Sequence, residues 1–374
     1  MHSYYSSAEP SGENAVVDAQ VAELRRAGHT VELFARRTDE ENSRPFYKLR
    51  GAFRAANMTG PTPAGLTDFR PDVVHVHNLF PNWGSQWLKA WHPKLVATLH
   101  NHRTVCSAAT LWRDGHDCHE CLNHGSHRAL RHRCYRDSIL ATAPLAVATR
   151  NSASHSPVLN HARTIVVLNS AARDFYQALL PSRSVQLIPN FVESSAPAST
   201  RRGRAWLYVG RLTPEKGIRW LLQNWPRDIS LHVLGSGPMA GEVARRAEQF
   251  PDRIKYVGLV SREAARQQIE SARGLIIPSL WSEGIPTVAL EALSSGTPIL
   301  VSNRCSSAAE LTRDGAGQTF EIDESGDDLV RAMAEVDARP ALYQKAARAR
   351  YIANFSTIAW LNRIEKVYAE IAAG

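Results

Sequence analysis

The stretch from Pro278 to Pro298 reads PSLWSEGIPTVALEALSSGTP. It carries two carboxylates, Glu283 and Glu291, eight positions apart, with Gly284, Pro286 and a helix-like run between them. Eight residues is a little over two helical turns, so both acids can lie near one face. The Ser-Glu-Gly-Ile-Pro entry places Glu283 in the loop before the helix, with Pro286 near its first position. The N–H groups at that helix start, from Ile285 through Thr287 to Val288, then offer an anion site.

Outward from this stretch the chain alternates strands and helices. VVDAQVAELRRAG, Val16 to Gly28, is a helix pattern with Val17, Val21 and Leu24 on one face and Gly28 as its stop. HTVELFAR, PDVVHVHN and PKLVATLHN read as strands, the last two ending in polar residues. Such alternation implies parallel sheets, and ligands gather beyond the carboxyl ends of their strands. His77, Asn78, His100 and Asn101 fall at those ends. ESSAPASTRRG, from Glu193 to Gly203, has a linker composition. After it AWLYVGR, ISLHVLGSG, IKYVGLV, GLIIPS and PILVS read as strands. Phe355 to Ala373 reads as a final helix capped by Ser356 or Thr357. With 374 residues the chain suits two domains.

The 278–298 stretch closely resembles the E-x7-E motif of retaining GT-B glycosyltransferases, family 4 in particular. YVGRLTPEKG (Tyr208 to Gly217) resembles that family's phosphate-binding segment, and LIPNFV (Leu187 to Val192) the close of its first domain. LGSGP, YVGLV, TLHN and PSGEN follow the same pattern in their expected places. The resemblance implies an α/β GT-B fold: two Rossmann-like domains facing each other across a cleft. It puts an acceptor domain at 1–193 and a nucleotide-sugar domain at 200–354. A C-terminal helix, 355–374, returns to the first domain. Family members begin with an apolar strand in the middle of the first sheet. Here Met1-His2-Ser3-Tyr4 stands where that strand should end, so the strand is expected to be missing. A start site placed too late, or a genuine loss, would explain it.

The resemblance also implies roles. Arg211 and Lys216 would stabilise the leaving diphosphate, Arg as a fork and Lys as a point charge. Alone, an R-x4-K would be ordinary surface charge. Glu291 would accept hydrogen bonds from the ribose. Glu283 would hold the donor sugar or steady its ring cation, and His100 would contact the donor sugar. Gly210, Gly235 and Gly237 would let backbone approach the donor, with Val260, Gly284, Ile285, Pro286 and Thr287 completing its site. Ser11, Gly12, Glu13 and Asn14 would form a loop near the diphosphate and acceptor. Such enzymes need no catalytic metal. Front-face attack, with the leaving phosphate taking the acceptor's proton, is the chemistry implied, and Glu283 is the only rival nucleophile.

Net charge is +8, and residues 1–190 hold 21 Lys+Arg against 15 Asp+Glu. Such a surface suits anionic lipid or a lipid-diphosphate acceptor, while an Arg-rich composition explains it equally. No recognition motif points to nucleic acid. No run of about 18 apolar residues occurs, and the opening residues lack a signal-peptide core. The expectation is a cytoplasmic protein, with or without contact to the inner membrane face. Cys106, Cys118, Cys121 and Cys134 fall within a Cys-rich insert at about 102–136. Cys118-His-Glu-Cys121 has metal-hairpin spacing, so structural zinc, reduced thiols and disulfides all stay open. Cys305 stands apart as a small core residue. The reading is a hexosyltransferase using a UDP- or GDP-sugar and a glycan, lipid-linked or small-molecule acceptor. A GT-B epimerase and a non-catalytic nucleotide-sugar binder are the alternatives.

Overall fold

Parallel strands buried on both faces need helices on both sides. Two such assemblies appear in a computed structural model that describes residues 1–7, 12–194 and 203–373. Contacts divide the chain into two units: Met1–Arg113, Asp117–Ile188 and Leu361–Gly374 form one, Asp114–His116 and Pro189–Trp360 the other. Most of the Glu193–Gly203 linker lies outside the described residues.

The first unit contains β1 (His2–Tyr4), α1 (Gly12–Arg26), β2 (Ala35–Arg37), α2 (Tyr47–Asn57), β3 (Val74–Val76) and β4 (Leu95–Leu99). It continues through α3 (Ile139–Ala148), β5 (Thr164–Val167), α4 (Ser170–Leu179) and β6 (Ser184–Leu187). Strands β3-β4-β5-β6 pair in parallel in that order, and β1 pairs with β2. Ser3 N donates to Asn78 O at 2.7 Å and His77 N to Met1 O at 3.1 Å, which joins the two ladders beside β3.

Three expectations change here. The strand expected to be missing is present as β1, three residues long, between β2 and β3. HTVELFAR, read as a full strand, is ladder only at Ala35–Arg37. The cause is the same: a three-residue partner offers three residues of pairing. Helix α1 also starts earlier than Val16, so Gly12, Glu13 and Asn14 form its first turn rather than a loop. Ser11 lies outside the described residues.

The second unit runs β7 (Trp206–Val209), α5 (Ile218–Asn224), β8 (Leu231–Leu234), α6 (Ala240–Gln249), β9 (Ile254–Gly258) and α7 (Arg262–Ser271). It continues with β10 (Gly274–Ile277), α8 (Thr287–Ser294), β11 (Ile299–Ser302), β12 (Gly317–Phe320), α9 (Asp327–Ala338) and α10 (Pro340–Asn354). The sheet order is β9-β8-β7-β10-β11-β12, all parallel. Alternate side chains feed two cores, as the strand period of two demands. Leu207, Leu275, Ile277, Ile299 and Val301 pack with Leu290 and Leu293 of α8. Trp206, Tyr208, Ile276 and Leu300 pack with Ile218 and Leu221 of α5 on the other face. The final helix α11 (Thr357–Ala372) is capped by Ser356, whose Oγ accepts from Ala359 N at 3.2 Å. From Leu361 onward its residues group with the first unit.

Gly274 pairs with fully buried Trp206 across β10 and β7. A Cβ at Gly274 would run into the indole. Gly274→Ala should therefore overpack this seam and lower unfolding stability by about 1–3 kcal/mol. Urea denaturation followed through the second unit checks this. An unchanged midpoint contradicts the seam described.

Candidate functional site

In the second sheet the strand order reverses between β7 and β10. Ligands of open α/β sheets bind beyond the strand ends at such a switch. The segments leaving those two strands are Gly210–Gly217 and Pro278–Pro286, so sequence order alone delivers Arg211, Lys216 and Glu283 to one place. The segments are stitched together. Leu280 N donates to Glu215 O at 2.9 Å. Gly217 has φ +71°, and a Cβ there would strike the Pro278 carbonyl. Gly235 comes against the Gly210 carbonyl in the same way, so these glycines are required first by backbone packed on backbone.

Lys216 Nζ forms an ion pair with Glu283 Oε2, and Ser279 Oγ donates to Glu283 Oε1. Glu283 is buried, and Ser306 Oγ donates to its carbonyl at 2.6 Å. The Lys216 ammonium lies 5.7 Å from the centre of the Trp281 ring. Trp281 Nε1 is buried without a hydrogen-bond partner. Arg211 is largely exposed and only 3.8 Å from Glu215; Tyr208 Oη donates to its carbonyl at 2.8 Å, which fixes the loop.

Pro286 is the N-cap of α8, and no side chain caps that end. Gly284 and Ile285 lead into it, and Thr287 is its first residue. Glu291 lies on α8, buried, with Arg262 Nη2 at 3.2 Å. Burial raises its pKa, and Arg262 opposes that. Val260 sits before α7 and packs on the core. Ser279, Trp281, Arg262 and Ser306 escaped the sequence reading. Trp281 alone had a signal, standing two residues before Glu283.

The first sheet also has a switch, between β1 and β3, and a cavity of about 130 Å³ opens there. Its polar lining includes Glu13, Arg54, His77, Asn78, His100 and Arg103; Phe80, Trp83, Leu99 and Leu145 contribute apolar wall. Glu13 Oε1 and Arg103 Nε are both shielded from solvent and both lack a hydrogen-bond partner. Burial pushes the Glu13 carboxyl up to about 8, against the pull of Arg103. Arg103 lies over the rings of Phe80 and Tyr135 at 4.9 and 5.3 Å. Asn14 is engaged elsewhere: its Oδ1 lies 3.0 Å from His2 Nε2 and accepts from Tyr5 N at 3.3 Å. Gly12 is exposed at the helix start. Arg103 was missed because nothing local marks a residue that meets Glu13 only through the fold, and Arg54 because only the fold brings it to the cavity.

His100 does sit at the cavity, within a file of histidines. Its Nε2 is 3.0 Å from His77 Nδ1, and the His77 ring stacks on His75 at 4.3 Å. His75 is held by Thr98 Oγ1 at 2.7 Å and Tyr368 Oη at 2.6 Å. Burial holds His75 and His100 at about 3, His2 and His102 at about 4, and His77 well below its ordinary value. All five are neutral near pH 7.

The four clustered cysteines are free thiols, as is buried Cys305. Burial, with Cys106 and the other thiols nearby, pushes Cys121 and Cys134 up to about 11. Glu120 and His132, two further candidate ligands, are tied to each other at 2.9 Å, and Glu120 holds Arg113 at 2.6 Å. Among the described residues no group of three or more His, Cys, Asp or Glu is arranged to hold a metal. Cys106, Cys118 and Cys134 lie near enough to Cys121 to act on its thiol, so the four sulfurs gather in one place. No described helix is long and apolar enough to cross a membrane.

Residues 10–196 match the family described as Glycosyltransferase Family 4, and residues 203–338 match Glycosyl transferases group 1. The first match spans half of the chain, and the chain belongs to the family 4 glycosyltransferases. It is similar to the lipopolysaccharide 1,2-N-acetylglucosaminetransferase of Salmonella typhimurium, 27% identical over 53% of this chain and 59% of that protein. It is also similar to the phosphatidyl-myo-inositol mannosyltransferase of Mycolicibacterium smegmatis, 25% identical over 51% of each. The chain thus spans about half the length of these curated relatives, 51–59%. Among solved structures, sucrose-phosphate synthase from Thermosynechococcus elongatus superposes with a TM-score of 0.67 at 18% identity, covering 100% of this chain and 96% of that one. Anabaena HepE in complex with UDP gives 0.60 at 14%, covering 99% and 100%. The likeness is of fold, and the fold is GT-B.

The neutral histidines set an acid limit on the first unit. Their folded pKa values lie below the unfolded value near 6.5, so the unfolded chain takes up more protons as pH falls. Stability is full above about pH 6.5 and lost as pH drops through the folded values. At pH 5 each histidine should cost on the order of 1–2 kcal/mol relative to pH 7.5. Hydrogen exchange should show Leu95–Leu99 opening at pH 5 before Trp206–Val209. His102→Phe keeps the ring packed beside Tyr176 and should lessen the slope; an undiminished slope contradicts the assignment.

Proposed function

We propose that the chain transfers a hexosyl group from a nucleotide sugar, UDP- or GDP-linked, to a hydroxyl of a glycan, lipid-linked or small-molecule acceptor, with retention at the anomeric carbon. The observation that carries this reading is the second-unit switch point. There an uncapped helix start, Lys216 and Arg211 lie by the loop that bears buried Glu283, with Glu291 two turns along the helix. Cations and free N–H groups stabilise charge that grows on a leaving phosphate. The bond from the anomeric carbon to the phosphate oxygen breaks, and the nucleoside diphosphate leaves with the electron pair. The acceptor oxygen bonds to the same face of that carbon, and its proton passes to the leaving phosphate.

Family membership supports transfer. The UDP in the Anabaena HepE crystal makes UDP-sugars the first donors to test. Glu291 suits the ribose hydroxyls, because Arg262 beside it is exposed and can give way. The first-unit cavity suits the acceptor. Glu13 and Arg103 offer an unpaired oxygen and an unpaired N–H, and a hydroxyl can answer both. His100 on the same wall would orient whatever occupies it.

Thermal melting with UDP-, GDP- and ADP-sugars tests the donor side. A ligand specific for the folded state adds about 2.7 kcal/mol at a hundredfold excess over its dissociation constant. One nucleotide class should raise the melting temperature, and Glu291→Ala and Arg211→Ala should shrink that rise. Arg211→Ala should leave the unliganded melting temperature unchanged, since its side chain is largely exposed. No rise with any nucleotide sugar contradicts the proposal. For the acceptor side, Glu13→Gln should keep the nucleotide response and lower acceptor-dependent nucleotide release. It should also flatten the stability loss as pH climbs toward about 8, because the wild-type carboxyl must ionise while buried.

A further inference from the structure

Helix α2 turns its apolar side chains outward. Phe46 at its cap, Leu49 and Phe53 follow one face at spacings of three and four, and they are 71%, 69% and 65% exposed. No residue of this helix is buried. A surface helix ordinarily points such a stripe at the core. The start of α3, which packs against α2, repeats the feature: Ile139 and Leu140 are 51% and 86% exposed. Single exposed apolar residues need no explanation, but a stripe on one helix beside a second exposed pair does.

The charge around these residues is mostly positive. Exposed Lys48 and Arg50 interleave with Leu49 on α2, and no Asp or Glu occurs from Asn42 to Thr67. Arg44, also exposed, pairs with Glu41 at 3.2 Å. Exposed Arg131, Arg133 and Arg136 precede α3, with Asp137 as the nearby acid. Aromatic and Leu side chains on a helix edged with Arg and Lys match the headgroup–acyl boundary of an anionic bilayer: the apolar groups enter it and the cations meet lipid phosphates. The opposite sides of the same helices wall the first-unit cavity, through Arg54 and Ala55 of α2, Met58 just after it, and Leu145 and Ala148 of α3.

We propose that the outer faces of α2 and the start of α3 seat this protein on an anionic phospholipid bilayer and hold the Glu13–Arg103 cavity at the level of the headgroups. On the transferase reading above, on which this one clause rests, the acceptor is then a hydroxyl compound anchored in that bilayer. The docking itself needs no transfer activity.

Flotation of the purified full chain with vesicles tests it. Wild type should float with vesicles rich in phosphatidylglycerol, should float poorly with phosphatidylcholine alone, and should be released by salt. Leu49→Gln with Phe53→Gln, and separately Lys48→Glu with Arg50→Glu, should each weaken binding by about tenfold or more. Both variants alter exposed positions, so melting temperature and the nucleotide-induced rise should stay as in wild type. Failure of wild type to float with anionic vesicles overturns the proposal. So does undiminished flotation of either variant, or a wild-type dimer that the Gln variant converts to monomer, because a second copy would then own the face. The nucleotide rise is read on the same samples, so a failed docking surface and a failed donor site give different results.

Discussion

The second unit depends on a seam, the line where β7 and β10 part at the reversal of strand order. Two loops leave that line and must lie against each other without side chains between them. Gly217 against the Pro278 carbonyl and Leu280 N on Glu215 O meet that demand. Once the loops are locked, Lys216 and Glu283 have no choice but to pair. Breaking a buried pair from one side costs about 3–5 kcal/mol, because a charge is left behind without its partner. The charges of the candidate donor site are thus fixed by the same contacts that close the fold.

The first unit handles polarity differently. Its histidines at the strand ends are kept neutral by burial and hydrogen-bonded in short chains, His75 to Thr98 and Tyr368, His77 to His100. A neutral imidazole can be buried with one partner at each nitrogen, whereas a charged one would demand a counter-ion. His2 and His102 each leave Nδ1 without a partner, and Glu13 and Arg103 each leave a shielded polar atom unanswered beside a cavity. Unsatisfied buried groups are rare in folded proteins, and two of complementary kind on one wall are most economically explained by something that binds between them.

Much of the second unit was legible because its strands are covered on both faces. WLYV, LHVL, GLII and ILVS are short apolar runs that a buried parallel strand produces. HTVELFAR misled for the converse reason: its residues favour a strand, but ladder length is set by the partner, and β1 offers three residues. The stretch around Gly12 read as a loop because glycine weakens a helix signal, yet α1 begins there. Glu283, Glu291, Arg211 and Lys216 could be named from spacing and family likeness. Arg262 and Ser279 could not, since each acquires its meaning only by lying next to a carboxylate on a neighbouring helix or across a turn. Arg103 is hidden for the same reason: three residues past His100, it is one more basic residue until the fold brings Glu13 beside it.

The two carboxylates of the 278–298 stretch are held in unequal ways, and that inequality bears on their chemistry. Both oxygens of Glu283 are engaged, one by Lys216 and one by the Ser279 hydroxyl. A carboxylate restrained twice and buried is a poor nucleophile, because attack would require it to leave both partners. It is well suited to hold the Lys216 ammonium where a phosphate can add to it. Glu291 is ion-paired with Arg262, whose side chain is 68% exposed, and feels Arg266 beyond it. Arg262 can return to water, so hydroxyls that take its place leave no buried cation behind. On the transferase proposal, Glu283 would be the fixed post and Glu291 the exchangeable acceptor, the division that a diphosphate joined to a ribose would require of this helix.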